Sequence, residues 1–92
     1  MSTKYVLWYQ SADDVAEHAP VHYPAHAEWM QPFIANGTLL MIGPFADPQS
    51  EGSMALFTTR EAAEEFVEGD PFVKNGVAKF WTIREWNEAL AD

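Results

Sequence analysis

The order of strand-like and helix-like segments predicts an α+β fold, a ferredoxin-like βαββαβ arrangement with a four-stranded antiparallel sheet and both helices on one face. Two properties of the whole chain support this. Its 92 residues suffice for one hydrophobic core, so 1–92 is interpreted as a single domain. Hydrophobic residues make up 48% of the chain and charged residues 21%, which is enough apolar surface to offset the entropy lost on folding.

The first half of the chain contains a strand and a helix. The segment KYVLWYQ, Lys4–Gln10, is rich in β-branched and aromatic residues and is followed by a polar turn, so it predicts the first strand. A helix is predicted over Pro24–Asn36, with Pro24 at its first position and Gly37 ending it. Because proline in a helix interior removes one hydrogen bond, Pro32 predicts a kink or an early break.

The second half contains one further helix among three strands. Thr58 and Glu61 have the spacing of a capping box, and an apolar stripe follows them until Gly69 ends the helix. The strands are predicted for Thr38–Phe45, Ser53–Thr58 and Val77–Ile83.

The strand sequences also predict how the sheet is covered. The segments YVLWY and LLMI are apolar on successive residues, as is typical of strands that are buried on both faces. Two helices cover only one face of a four-stranded sheet. We therefore expect a second copy of the chain to cover the other face, sheet against sheet, in a homodimer with two-fold symmetry.

Composition and charge exclude several classes of function. The chain has no Cys, so it has no disulfide framework and no thiol chemistry. Five basic residues against 14 acidic ones give a net charge of -9, which disfavours binding to nucleic acid or to an anionic membrane. The longest apolar run, Leu39–Phe45, is too short to span a bilayer, and no basic region precedes an apolar N-terminal stretch. A cytoplasmic location is expected.

The three histidines do not predict a metal site. His18, His22 and His26 follow at intervals of four, but Pro20 and Pro24 interrupt the stretch. No Cys is present to complete a ligand set. We therefore expect no bound metal and interpret His18 and His22 as solvated loop residues.

His26 is the candidate for proton transfer, and Asp70 is its candidate partner. On a helix His26 shares a face with Met30 and Phe33, whereas Glu28 lies on the opposite face. A buried neutral imidazole needs a hydrogen-bond partner, and a carboxylate would hold one tautomer. Asp70 also precedes a proline, as is typical of a helix N-cap, and a carboxylate can serve both roles. A merely structural histidine and a merely capping aspartate remain alternatives.

These segments together resemble one family. The motifs are Pro24-Ala25-His26, Gly37-Thr38-Leu39-Leu40, Gly43-Pro44, Glu61-Ala62-Ala63-Glu64-Glu65-Phe66 and Asp70-Pro71-Phe72. Their order and spacing over nearly the whole chain resemble the YciI-like (YCII-related) family. The resemblance implies a dimeric α+β barrel in which His26 and Asp70 form a His-Asp pair in a pocket, for which a catalytic role has been proposed.

The resemblance also implies a range of substrates. Some family members resemble enzymes that act on small chlorinated hydroxyaromatic or lactone-like compounds, and the fold is shared with muconolactone isomerases and monooxygenases. Family members often have Arg three residues before the histidine, where this chain has Tyr23. Tyrosine cannot clamp a carboxylate as arginine does, so an acidic substrate is less favoured, although His22 or a lysine could substitute in part.

The expected function is therefore a small cofactor-free enzyme. His26 would act as general base or acid, oriented by Asp70, in an elimination, isomerisation or hydrolysis of a small ring compound, chlorinated or hydroxylated. The alternative is a non-catalytic dimeric module for small-molecule binding or assembly, in which the His-Asp pair only supports the helix. The candidate substrate-binding residues are Tyr9, His22, Tyr23, Trp29, Phe72 and Trp81.

Overall fold

The computed structural model describes residues 2–90, which fold into four strands and four helices in the order expected for a ferredoxin-like domain. Two of the helices are single turns. One follows the Asp-Pro helix start predicted at Asp70, and the other was not predicted. The elements are β1 (Ser2–Ser11), α1 (Val15–Ala35), β2 (Leu39–Pro44), α2 (Pro48–Glu51), β3 (Ser53–Phe57), α3 (Arg60–Gly69), α4 (Pro71–Lys74) and β4 (Ala78–Glu88).

The four strands form one antiparallel sheet in the order β2-β3-β1-β4. This confirms the predicted fold class. β1 lies in the interior of the sheet, where Leu7 pairs with Ala55 on one side and Ile83 on the other. Paired residues of neighbouring strands point to the same face, so the odd-numbered residues of β1 share the helix-covered face with Ala55.

The core lies between this face of the sheet and the two longer helices. Phe33 of α1 and Phe66 of α3 meet at a ring-centroid distance of 5.2 Å in an edge-to-face contact. Both rings also pack against Phe57 of β3, which is fully buried together with Phe66 and Leu7. Aromatic clusters of this kind bury large apolar areas and fix the helices on the sheet.

Helix α1 is longer than the sequence predicted. It begins at Val15 rather than Pro24 and continues through Pro32 to Ala35, so the predicted start and the predicted early break were both wrong. The backbone of Asp14 enters the helix from the left-handed region at φ 58°. The first helical residue, Val15, is buried, and its backbone N–H donates to the Gln49 side chain at 3.0 Å. Tertiary contacts therefore start the helix earlier than local signals indicate.

The prolines are tolerated in α1 because the carbonyl groups that they leave without a partner belong to exposed residues. Pro20, Pro24 and Pro32 are solvent-exposed and lack the N–H that would bond the carbonyl four residues earlier. Those carbonyls belong to residues 16, 20 and 28, which are also exposed, so water can satisfy them. His18 and His22 also lie in α1 and not in a loop, which corrects the interpretation made from the sequence.

Two further boundaries differ from the prediction. The cap of α3 is Thr59, whose side chain accepts a hydrogen bond from the backbone N–H of Ala62, and not Thr58. β4 extends to Glu88, because its end continues to pair with the start of β1, where Lys4 lies opposite Trp86. Trp86 is thus a strand residue.

The outer face of the sheet carries many apolar side chains. Helices α1 and α3 do not cover this face, because they pack on the other one. Met41, Phe80 and Trp86 are 69%, 52% and 47% exposed there. By strand alternation this outer face also includes Val6, Trp8, Met54 and Leu56. Within residues 2–90, no helix is both long enough and apolar enough to cross a membrane.

Gly69 tests the packing of α3 against α1. A Cβ at this position would overlap the Trp29 ring, which is held by a 2.9 Å bond from Nε1 to the Phe66 carbonyl oxygen. We expect Gly69→Ala to lower the free energy of unfolding by about 1–3 kcal/mol. The control is Gly43→Ala, because a Cβ at Gly43 meets nothing within 4 Å. Urea denaturation of both variants measures the difference, and equal midpoints would contradict the packing described here.

Candidate active site

The His26 imidazole and the Asp70 carboxylate form a buried pair. Nδ1 of His26 lies 2.7 Å from Oδ1 of Asp70 although 44 residues separate them in the chain. His26 is 6% exposed and Asp70 is 0% exposed. The contact expected from the sequence is therefore present, and its length is that of a charge-assisted hydrogen bond.

Asp70 is held at this position by the turn between α3 and α4. It is the N-cap of α4, where Pro71 occupies the first helical position and the Phe72 backbone N–H donates to Oδ1 at 3.0 Å. The Asp-Pro sequence favours this local structure whatever the rest of the chain does. Both roles considered for Asp70 thus coexist in one carboxylate.

Tyr9 is a third member of the group. Its hydroxyl donates to Oδ2 of Asp70 at 2.6 Å, so both carboxylate oxygens are occupied. Burial raises the pKa of the Tyr9 phenol far above its ordinary value, and the Asp70 charge and hydrogen bond raise it further. The sequence predicted Tyr9 only as a cavity wall. No local signal shows the Asp70 contact, which depends on β1 lying in the sheet interior.

Aromatic rings enclose the imidazole. The Phe72 ring stacks on it at a centroid distance of 3.9 Å and an angle of 5°. The Phe66 ring meets it edge-on at 6.0 Å, and the Tyr23 ring lies 5.9 Å away. These rings fix the plane of His26, so the imidazole cannot turn away from Asp70 without losing its packing.

The geometry determines which ring nitrogen is available for chemistry. Because Nδ1 faces a carboxylate, it carries the proton when the imidazole is neutral, and Nε2 then has the lone pair. Every deeply buried side-chain nitrogen or oxygen within residues 2–90 has a hydrogen-bond partner. Nε2 has none in this part of the chain, so it must be accessible from the cavity that His26 lines. It can accept or donate one proton there.

That cavity has a volume of about 470 Å³ and lies between α1 and the sheet. The volume is within the range of small-molecule sites. Its walls are mainly apolar, and no Lys or Arg of the described residues lines it. The lining includes Leu7, Tyr9, Val15, Ala19, Pro20, Tyr23, His26, Met30, Ile42, Asp47, Pro48, Ser53, Ala55, Phe66, Phe72 and Val77.

A comparison with models of protein families identifies the family of this chain. The model of the YCII-related domain matches residues 3–87. The chain belongs to the YCII-related family. No curated protein is significantly similar to it in sequence.

Solved structures share the fold of this YCII-related domain. One is 5-chloro-2-hydroxyhydroquinone dehydrochlorinase (TftG) from Burkholderia phenoliruptrix AC1100, in complex with 2,5-dihydroxybenzoquinone, with a TM-score of 0.75 and 20% identity over 94% of this chain and 95% of that one. An antibiotic biosynthesis monooxygenase has a TM-score of 0.55 and 12% identity over 95% and 98% of the two chains. A hypothetical Arabidopsis thaliana protein, whose structure was solved in solution, has a TM-score of 0.54 and 13% identity over 99% of this chain and 91% of that one.

The candidate substrate-binding residues fall into two groups. Tyr9, Tyr23 and Phe72 line the cavity of the YCII-related domain. His22, Trp29 and Trp81 are not among its lining residues. The Trp29 indole is instead engaged with the Phe66 carbonyl oxygen, and Trp81 lies opposite Tyr9 on the edge strand β4, 40% exposed.

One part of the cavity wall was not predicted from the sequence. Val15, Ala19 and Pro20 line the cavity from the first turns of α1, and Pro48 lines it from α2. Val15, Ala19 and Pro20 were overlooked because α1 was expected to begin at Pro24, and Pro48 because α2 was not predicted. Within residues 2–90 no three His, Asp or Glu side chains are placed together to bind a metal ion.

The buried carboxylate provides a test of the site's energetics. Asp70→Ala leaves the Tyr9 hydroxyl and the His26 Nδ1 without a partner and removes the α4 cap, so we expect a loss of about 3 kcal/mol or more in the free energy of unfolding. Asp47→Ala is the matched control. It is also an Asp-Pro helix start, but Asp47 is exposed and makes no cap bond with its side chain. Its expected loss is below about 1 kcal/mol. Urea denaturation measures both variants, and similar losses of unfolding free energy in Asp70→Ala and Asp47→Ala would contradict the buried hydrogen-bond network.

Proposed function

We propose that this YCII-related domain is a cofactor-free enzyme that transfers a proton on a small, uncharged ring compound. The observation that carries the proposal is the His26–Asp70 pair at the wall of an apolar cavity. His26 acts as general base and then as general acid through Nε2, and Asp70 orients the imidazole and stabilises its cationic form. Elimination, isomerisation and simple hydrolysis are the reaction classes that such a pair supports.

An elimination illustrates the chemistry. In the keto tautomer of the ring, whose chlorine-bearing carbon is saturated, Nε2 accepts a proton from a ring hydroxyl or an acidic ring carbon. The electron pair left behind forms a new C=O or C=C double bond as the bond to a leaving group such as chloride breaks. The net reaction is loss of H⁺ and the leaving group anion, with no oxidant or reductant. Positioned proton transfer of this kind contributes roughly a hundred- to ten-thousandfold to a rate.

The ligand class follows from the size and the charge of the cavity. A volume of about 470 Å³ accommodates a single substituted ring. The lining has no Lys or Arg, its one acidic side chain is Asp47, and the net charge of the chain is -9. A carboxylate ligand would lose its hydration without gaining a cationic partner. The dehydrochlorinase with the similar fold holds a dihydroxylated quinone ring, which supports a single substituted ring as the size of ligand.

A non-catalytic binding module is the second candidate. It is favoured because both carboxylate oxygens of Asp70 already accept structural hydrogen bonds, in the cap of α4 and from Tyr9 and His26. In that case the His26–Asp70 pair supports the cavity wall, and the cavity binds a ligand without converting it. The two candidates differ in whether a ligand is converted.

A matched ligand series tests the function. Hydroquinones and catechols with and without chlorine are compared with the same rings bearing a carboxylate, by calorimetry and by release of chloride or change of absorbance. We expect the uncharged rings to bind at least about tenfold more tightly than their carboxylates, because the cavity lacks a cation to offset desolvation. Tighter binding of the carboxylates would contradict the proposed ligand class.

The variant His26→Gln separates the two candidates. For an enzyme, turnover should fall by a hundredfold or more, about the value of a positioned general base, while the melting temperature stays close to that of the parent. His22→Gln, on the same helix but outside the cavity lining, is the control and should keep full activity. Binding with no conversion by the parent protein would favour the binding module.

We further infer that the outer face of the sheet joins two copies in a homodimer. Its exposed apolar side chains would otherwise remain in water, and burial is worth roughly 25 cal/mol per Å². Light scattering should give twice 10.4 kDa at micromolar concentration. Trp86→Glu should yield monomers, whereas Val21→Glu, at an exposed apolar position on α1, should not. A monomeric parent protein would contradict this inference.

A further inference from the structure

The negative charge of Asp70 is stabilised by hydrogen bonds alone. Its side chain is 0% exposed, and within residues 2–90 no Lys or Arg forms an ion pair with it. Its donors are the His26 ring, the Phe72 backbone N–H and the Tyr9 hydroxyl, the last with the shortest bond of the three at 2.6 Å. The Tyr9 bond therefore provides a large part of the compensation for burying this charge.

The Tyr9 hydroxyl is a fixed donor. Its strand is paired on both sides, with Tyr9 opposite Ser53 on β3 and Trp81 on β4. A Cβ at Gly52 would overlap the Tyr9 backbone oxygen, which shows how closely the connection to β3 packs against this residue. Burial and the Asp70 charge raise the pKa of the phenol, so it remains protonated across the physiological range. The ring can neither swing away nor become an acceptor.

We propose that Tyr9 is a positioning residue, whose bond to Oδ2 of Asp70 turns Oδ1 towards His26 and keeps the proton on Nδ1 and the lone pair on Nε2. The phenol holds the carboxylate in this orientation and also takes up part of its charge. With less charge facing the imidazole, the cationic form of His26 is stabilised less. The role of Tyr9 in catalysis rests on the proposed function, whereas its effect on the His26 imidazole does not.

Few other ionisable groups face the pair. From α1 the nearest is Tyr23, whose ring is 5.9 Å from the His26 ring, and His22 lies one turn earlier. Asp47 faces the same cavity from the start of α2. The acidic residues of α3 and Lys74 of α4 are exposed to solvent. Tyr9 is thus the hydrogen-bonding group with direct access to the second carboxylate oxygen.

The first test is Tyr9→Phe, which removes the hydroxyl and keeps the ring. Nitrogen NMR of imidazole-labelled protein reports the tautomer of each histidine and the pH at which it titrates, and His26→Gln assigns the His26 signals. In Tyr9→Phe the His26 signals should change at a pH higher by roughly half a unit to one unit, since the carboxylate then holds the cation more strongly. The acid limb of the kcat/KM profile should move by the same amount.

Tyr5→Phe is the matched control. Tyr5 lies on the same strand and the same face of the sheet as Tyr9. Its ring packs against Arg60, whose guanidinium carbon is 5.3 Å from the ring centroid. Its hydroxyl is not bonded to the pair, so the His26 titration should not change. His18 and His22 serve as internal references in every spectrum.

A second variant keeps the test informative if Tyr9→Phe does not fold. Fluorotyrosine is incorporated in the Tyr5→Phe, Tyr23→Phe background, where Tyr9 is the remaining tyrosine. The more acidic phenol donates more strongly to Asp70, so the His26 signals should change at lower pH than in the unfluorinated background. Unchanged His26 tautomer and titration in both variants would overturn the proposal. A shifted titration without any turnover would support it and contradict only the proposed enzymatic function.

Discussion

The burial of one carboxylate determines the arrangement of this protein. Asp70 has no exposed surface, so its charge requires donors from three separate parts of the chain: strand β1, helix α1 and the start of α4. Each donor fixes the position of the element that carries it. The same interaction that holds these elements together also sets the proton positions on the imidazole, which means that stability and chemistry share a single group.

Much of the fold could be predicted because local signals and the fold agree. The strand of Lys4–Gln10, the helix ending at Gly69 and the Asp-Pro start near residue 70 all follow from short-range preferences, and the structure contains each of them. The pairing of His26 with a carboxylate could be anticipated from the helix face that His26 shares with Phe33. Its partner was identified with the help of the family resemblance.

The remainder depends on contacts between distant segments. The start of α1 is stabilised by Gln49, which donates to the Ala12 carbonyl oxygen and accepts from Val15, and no window of sequence around Pro20 contains that information. The contact between Tyr9 and Asp70 likewise crosses 61 residues. Trp29 was assigned to the cavity by its aromatic character, but the absence of a side chain at Gly69 provides the space that its ring fills.

The exposed prolines of α1 have a consequence for access to the cavity. Pro20 and Pro24 remove two internal hydrogen bonds from the half of the helix that covers the cavity, and the Gln49 side chain accepts a bond from its first residue, Val15. Segments with few internal bonds open at a lower free energy than the rest of a domain. We therefore expect the covering turns to separate from the sheet at a lower free energy than the Phe33–Phe57–Phe66 core unfolds, which would give a ligand a path inward without global unfolding.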